Sequence, residues 1–317
     1  MRKKVIITLI QIVFLVCPIL WLIFMVDYRG VLSALKSLDA LLILFLFAVV
    51  FLRFVLQSVR FWILTTPFTQ NLKLGSLILL DWKARYYSVI MPSSAGQDIT
   101  RAVLLKKHLS VAEIVALTIF FRATGIITLI FLSLFGFFRL YAHETVPPAS
   151  AIAVVILFLF ICAAAIVSFS EKATQKMLSY LPEKTPKRIT RFLENASKSM
   201  QIYKKYPKLS AFNLISALFL HLLFLVFPLV AIYAVCGKWY VLEVLTFFPI
   251  IEIVAAAVPL LPNGAGVREV SVMLFFEYIN ATREQALSYI TVSIILYLML
   301  FFGFFAVLFD KVRKKIP

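Results

Sequence analysis

Six apolar runs, at 5–26, 40–64, 111–138, 150–169, 209–235 and 286–309, are each 20 residues or longer. As helix, that length crosses a hydrocarbon core of about 30 Å. A backbone N–H or C=O in lipid has no water to bond, so segments of this kind must satisfy their own backbone, and continuous runs do so as α-helices. Composition agrees: 62% hydrophobic and 15% charged residues lie outside the range of soluble domains. The first run follows Arg2-Lys3-Lys4 and resembles a leader. It is too long for a cleaved h-region, and Val26-Asp27-Tyr28-Arg29-Gly30 is a poor cleavage site, so it reads as a first span.

Two further apolar stretches, 72–105 and 241–279, do not run through. Each breaks at a short polar signal, Pro92-Ser93-Ser94-Ala95-Gly96 in one and Pro262-Asn263-Gly264-Ala265-Gly266 in the other, 170 residues apart. Both read Pro-x-x-Ala-Gly, with charged residues just beyond. From Gly96 to Leu105 a helix rises only about 15 Å, half the hydrocarbon core. Paired short arms of this kind predict re-entrant hairpins, with tips at Pro92 and Gly96 and at Pro262, Gly264 and Gly266. Such hairpins are tolerated at depth where protein or a wet cavity surrounds them.

Charge decides between a hairpin and a single crossing. The loop 170–208 holds ten Lys or Arg against three acids, and Lys106, Lys107 and the tail Lys311-Val312-Arg313-Lys314-Lys315 are also basic. If both broken stretches return to the side they entered, all of these fall on the cytoplasmic side with both termini, as the positive-inside bias requires. Three full spans then separate the hairpins, so they enter from opposite faces as an inverted repeat. The expected fold is an all-α polytopic membrane protein with about six full spans and two re-entrant helical hairpins in inverted repeat. Its divisions are an N-terminal helix and loop (1–39), a first repeat with its hairpin at 91–101 and an additional span (40–169), a basic amphipathic interfacial segment (170–208), and an inverted second repeat with its hairpin at 261–269 (209–317). In the basic segment Ile189, Phe192, Leu193, Ala196, Met200 and Tyr203 recur at helical spacing.

The net charge of +17 has its ordinary explanation in the positive-inside bias and attraction to anionic headgroups, so no nucleic-acid partner is expected. Cys17, Cys162 and Cys236, and His108, His143 and His221, are scattered without metal-ligand spacing, and no metal or cofactor is expected. There is no Gly-x-Ser-x-Gly elbow and no Gly-x-x-x-x-Gly-Lys loop. Enzyme activity is accordingly not expected.

What the pattern favours is anion recognition. Arg122 sits near the centre of its span, where an arginine costs about 2.5–3.5 kcal/mol and must face a partner or cavity. Arg85, Arg101 and Arg268 lie beside the two breaks, and each offers a fork that suits phosphate oxygens. The second arm of each hairpin begins near its tip, where free N–H groups and the positive end of the helix dipole attract anions. Asp98 stands at i, i+3 to Arg101, and Glu269 follows Arg268 directly; both are expected to position the arginines or to meet a cationic headgroup. Arg53 and Arg60 share one helical face; Arg60 is expected to snorkel to the headgroups.

Pro92, Gly96 and Arg101, the intramembrane Arg122, and Gly266-Val267-Arg268-Glu269 together resemble the transmembrane domain of the lysylphosphatidylglycerol synthase/flippase family. The resemblance runs from the second span to the last. It implies a lipid flippase acting without the separate aminoacyl-transferase domain of two-part members, and it places the chain in a bacterial or archaeal plasma membrane. Where relatives carry Gly-Glu or Gly-Gly-Asp after the first Pro and an acid before the intramembrane Arg, this chain has Gly96-Gln97-Asp98 and Phe121-Arg122. The implied cargo is a phosphate-bearing lipid, either an aminoacylated phospholipid or a polyprenyl-phosphate-linked sugar. A glycosyltransferase or lipid-modifying enzyme is the implied protein partner. The alternatives are a membrane-embedded enzyme and an accessory scaffold in lipid or glycan-lipid synthesis.

Overall fold

In a computed structural model of the chain, the residues described are 39–88, 95–141, 187–257, 266–298 and 302–307, with scattered positions between 152 and 180. The expected spans at 5–26 and, for the most part, 150–169 lie outside them, as do Pro92, Pro262 and Gly264. Every regular element among the described residues is helical.

Among the described residues, three helices are long and apolar enough to cross a membrane. Helix α1 (Ala40–Thr65) opens on Asp39, whose carboxylate accepts the Leu41 N–H at 3.0 Å. Helix α4 (Val111–Tyr141) opens on a reciprocal cap: the Ser110 N–H donates to Glu113 at 2.7 Å and the Glu113 N–H to Ser110 Oγ at 3.3 Å. Helix α6 (Pro207–Cys236) begins with proline in its first turn, where the missing N–H costs nothing, and ends at Gly237 in the left-handed region (φ 67°). Pro228 inside α6 removes the amide that would have bonded the Phe224 carbonyl.

Shorter helices come in two pairs. Helix α2 (Leu74–Ser88) packs on α3 (Ala95–Leu105), and α7 (Val241–Ala257) packs on α8 (Val267–Tyr278). As described, α2, α3 and α8 hold 15, 11 and 12 residues, short of the roughly 20 of a typical span, and α7 holds 17. Helix α9 (Arg283–Leu298) follows the second pair, capped by Thr282 and Gln285 through bonds of 2.9 and 3.2 Å. The basic segment contains α5 (Lys187–Gln201) and a 3-10 turn at Ile202–Lys205.

Packing shows how the pairs are arranged. One apolar cluster joins Leu72 and Leu77 at the start of α2, Leu105 at the end of α3, Phe61 and Leu64 late in α1, Ile114 and Leu117 early in α4, and Tyr203. The first pair is therefore antiparallel, and both its outer ends lie where α6 begins. A second cluster joins Val244 and Phe248 in α7, Phe275, Phe276 and Ile279 late in and after α8, Ala286 and Tyr289 in α9, and Ala231 and Ile232 late in α6. The second pair is antiparallel too, and its outer ends lie near the other end of α6, about 45 Å of helix away. Helix α7 lies against α4, where Ser133 Oγ donates to the Thr246 carbonyl at 2.7 Å. A Cβ on Gly136 would come within 2.9 Å of the Thr246 backbone nitrogen, so this crossing needs a glycine.

The amphipathic helix forms as expected, and its C-terminal end is docked on protein. Met200 and Tyr203 are buried; Tyr203 stacks on Phe120 at 4.2 Å and donates its hydroxyl to the Leu64 carbonyl at 2.9 Å. Burial holds that phenol well above the ordinary tyrosine range.

Candidate functional site

The interior face of α1 follows from its spacing. Leu46, Val50, Arg53, Gln57, Arg60 and Leu64 recur every three or four residues, so they form one stripe along the helix. The outer positions of this stripe are apolar, and its centre is polar. The polar residues of α2, α3, α4 and α6 meet it there.

Asp81 of α2 is the hub of the first cluster. It is 1% exposed and accepts from Ser58 Oγ at 2.6 Å, from Gln97 Nε2 at 3.2 Å, from Arg85 at 3.4 Å, and twice from Arg101, once through Nε at 2.9 Å. A buried carboxylate is tolerable when its lone pairs are this fully used. Arg101, itself 2% exposed, turns its remaining nitrogen to Asp98 at 3.0 Å, and Arg122 of α4 donates to the other oxygen of Asp98. Arg85 also donates to Gln57 at 2.9 Å and lies over the Phe54 ring at 4.2 Å. Four of the sequence-derived residues, Arg85, Asp98, Arg101 and Arg122, are thus in one network. Three arginines share two aspartates there.

The second cluster is smaller. Arg268, near the start of α8, donates to both oxygens of Glu252 in α7, at 2.9 and 3.3 Å. Glu269 turns back to accept the Gly266 N–H, closing the N-terminus of α8. Gly266 has φ 82°, a conformation that glycine adopts without strain. With Phe224, Phe248, Tyr289 and Ser293, these charges line a narrow cavity of about 20 Å³. One arginine here faces two glutamates.

The clusters repeat one device. In each, a carboxylate on the first arm grips an arginine on the second: Asp81 with Arg101, and Glu252 with Arg268. The second arms also carry an acid in their first turn, Asp98 and Glu269. The positive ends of both short helices therefore already hold negative charge of their own.

Sequence marks Asp81 and Glu252 only as charges around the two breaks; their pairing with Arg101 and Arg268 emerges when the arms face each other. Gln57 and Ser58 are ordinary helix residues until α2 packs on α1. For Arg60 the expectation is corrected. It does not snorkel to a surface: it is 4% exposed and donates to Asn213 at 2.7 Å, Thr124 at 2.6 Å and the Phe121 carbonyl at 3.2 Å. Burying the guanidinium costs solvation, which these three acceptors offset in part. Gly96 lies at the start of α3, where its carbonyl accepts the Thr100 hydroxyl at 2.9 Å.

The described residues hold no group of three or more His, Cys, Asp or Glu suited to a metal ion. What the arrangement does is hold ionic partners against one another inside a largely apolar helical body. A family described as the lysylphosphatidylglycerol synthase TM region matches residues 7–303 of the chain. No curated protein and no solved structure matches it.

Proposed function

Since the chain belongs to the lysylphosphatidylglycerol synthase transmembrane-region family, a membrane family linked to lipid handling, we propose that it moves a phosphate-bearing lipid headgroup across the membrane while the acyl chains remain in lipid. The cargo class is an aminoacylated phospholipid or a polyprenyl-phosphate-linked sugar. The observation that carries this reading is the twin set of cross-arm clamps, Asp81–Arg101 and Glu252–Arg268, inside apolar helices. Ionisable groups within membrane helices are costly and face a polar path or each other.

In this reading the paired arms α2–α3 and α7–α8 are re-entrant hairpins entering from opposite faces. The N- and C-termini and the basic segment lie on the cytoplasmic side of a bacterial or archaeal plasma membrane. Arg85, Arg101, Arg122 and Arg268 exchange carboxylate for headgroup phosphate as a hairpin loosens, while Asp98 and Glu269 hold the arginines in register or receive a cationic headgroup. Exchange between like anionic partners keeps the cost of desolvation low, because each arginine leaves one negative group only as it meets another. A glycosyltransferase or lipid-modifying enzyme would supply the cargo.

Reconstitution tests this directly. Full-length protein in vesicles containing labelled phosphatidylglycerol, lysyl-phosphatidylglycerol or a polyprenyl phosphate is expected to change the sidedness of at least one. Unchanged sidedness for every lipid would reject the transport reading, and chemical turnover of a lipid in detergent would replace it with an enzyme.

A further inference from the structure

Arg53 differs from the other arginines in the interior of the described helices. Arg60, Arg85, Arg101, Arg122 and Arg268 all donate to carboxylates, amides or hydroxyls. Among the described residues Arg53 makes no hydrogen bond and no ion pair; its guanidinium lies over the Phe224 ring at 4.4 Å and near the Phe54 ring at 5.9 Å. Those two rings fix its place. Phe54 is also the ring beneath Arg85 of the first cluster, at 4.2 Å, and Phe224 lines the cavity that holds Glu252, Arg268 and Glu269. Arg53 therefore stands between the two clusters, at the N-terminal end of the polar part of the stripe on α1. Glu252, Arg85 and Arg268 are the charges that act on it. Glu252 bonds Arg268 through both oxygens and makes no hydrogen bond to Arg53.

Among the described residues, no carboxylate or amide oxygen occupies the guanidinium of Arg53. His221, one turn before Phe224 on α6, lies against Gly125 of α4. Arg53 and Arg60 are the cations beside it. Aromatic faces steady a guanidinium through its charge while leaving its five N–H groups unspent. A group that satisfies such a site carries negative charge and several acceptor oxygens, as a phosphate does.

We infer that Arg53, seated on Phe224 between the two clamped arm pairs, is the receptor for a phosphate-type anion. The inference deepens the lipid reading above and rests on it for the source of that anion; a free phosphate has the same chemistry. The carboxylate-bound arginines then serve to hold the arms, and Arg53 is the cation that first meets the cargo.

Native mass spectrometry of the full chain in detergent tests this, with dioleoyl-phosphatidylglycerol against dioleoyl-phosphatidylcholine and with inorganic phosphate as a competitor. Wild type is expected to retain phosphatidylglycerol in preference, and Arg53→Gln to weaken it about tenfold, the scale of a lost charge-assisted fork. Lys73→Gln, which removes an exposed charge just before α2, is expected to bind as wild type. Should Arg53→Gln fail to fold by circular dichroism and size exclusion, Arg53→Lys decides: it keeps the charge without the fork, and a loss of about threefold or more is expected. Binding unchanged in Arg53→Gln or in folded Arg53→Lys overturns the inference, as does a wild type that retains neither the lipid nor phosphate. Phosphate bound through Arg53, in a protein that moves no lipid in vesicles, supports the receptor and rejects the transport reading. Lipid moved and bound equally by wild type and Arg53→Gln does the reverse.

Discussion

Asp81 shows how much one buried side chain organises. Five hydrogen bonds converge on its carboxylate from α1, α2 and α3. Removing its charge leaves Arg101 buried with only Asp98 to balance it, and leaves Arg85 with Gln57 alone. Breaking one side of a buried pair costs about 3–5 kcal/mol. Asp81→Asn is therefore expected to lower the melting temperature of the detergent-solubilised protein markedly. Asp98→Asn should cost less, because Asp98 is 17% exposed and its loss leaves Arg101 on Asp81. Equal losses in the two variants would show that Asp81 is not the hub. The Asp98–Arg101 contact was legible in the sequence because i, i+3 residues share a helical face. The Asp81–Arg101 contact was not, since it joins residues 20 apart across a turn. Arg60 was misread for the same reason: its partner Asn213 lies 153 residues away, and nothing local signals it.

At the scale of elements, the two Pro-x-x-Ala-Gly signals fall between α2 and α3 and between α7 and α8, and of their residues only Ala95, Gly96 and Gly266 are among those described. Each pair is followed by a capped helix, α4 through Ser110 and Glu113 and α9 through Thr282 and Gln285, an internal echo at the level of helix starts. The amphipathic spacing of α5 was legible as well. Its docking through Met200 and Tyr203 was not, because periodicity says that a face is apolar and not what covers it. The α4–α7 crossing was equally hidden. Gly136→Val puts side-chain atoms against the Thr246 backbone and should cost about 1–3 kcal/mol as the helices part. Gly75→Ala serves as its control, since a Cβ there meets nothing within 4 Å and should be neutral or slightly stabilising. Thermal denaturation of both, side by side, checks the contrast. A Gly136→Val protein as stable as wild type would mean that the two helices are not held at this distance.

At the scale of the whole molecule, the two antiparallel arm pairs approach from opposite ends of α6. If these ends correspond to opposite membrane faces, single cysteines at Ser94→Cys and Asn263→Cys, in a background lacking Cys17, Cys162 and Cys236, should react with an impermeant maleimide from opposite sides of sealed vesicles. Reaction from one side only would end the inverted arrangement. The matched family supports a membrane protein throughout, and the three long apolar helices give it a body. If the lipid-transport reading holds, Arg53 over Phe224 would also bear on the cell's energy supply. A polar path through a membrane is also a route for protons, and a leak would run down the gradient that powers the cell. On such a path a fixed guanidinium would repel hydronium and sodium while drawing anions inward, as charged constrictions do in selective pores. The charge that would receive cargo would therefore also keep the membrane sealed.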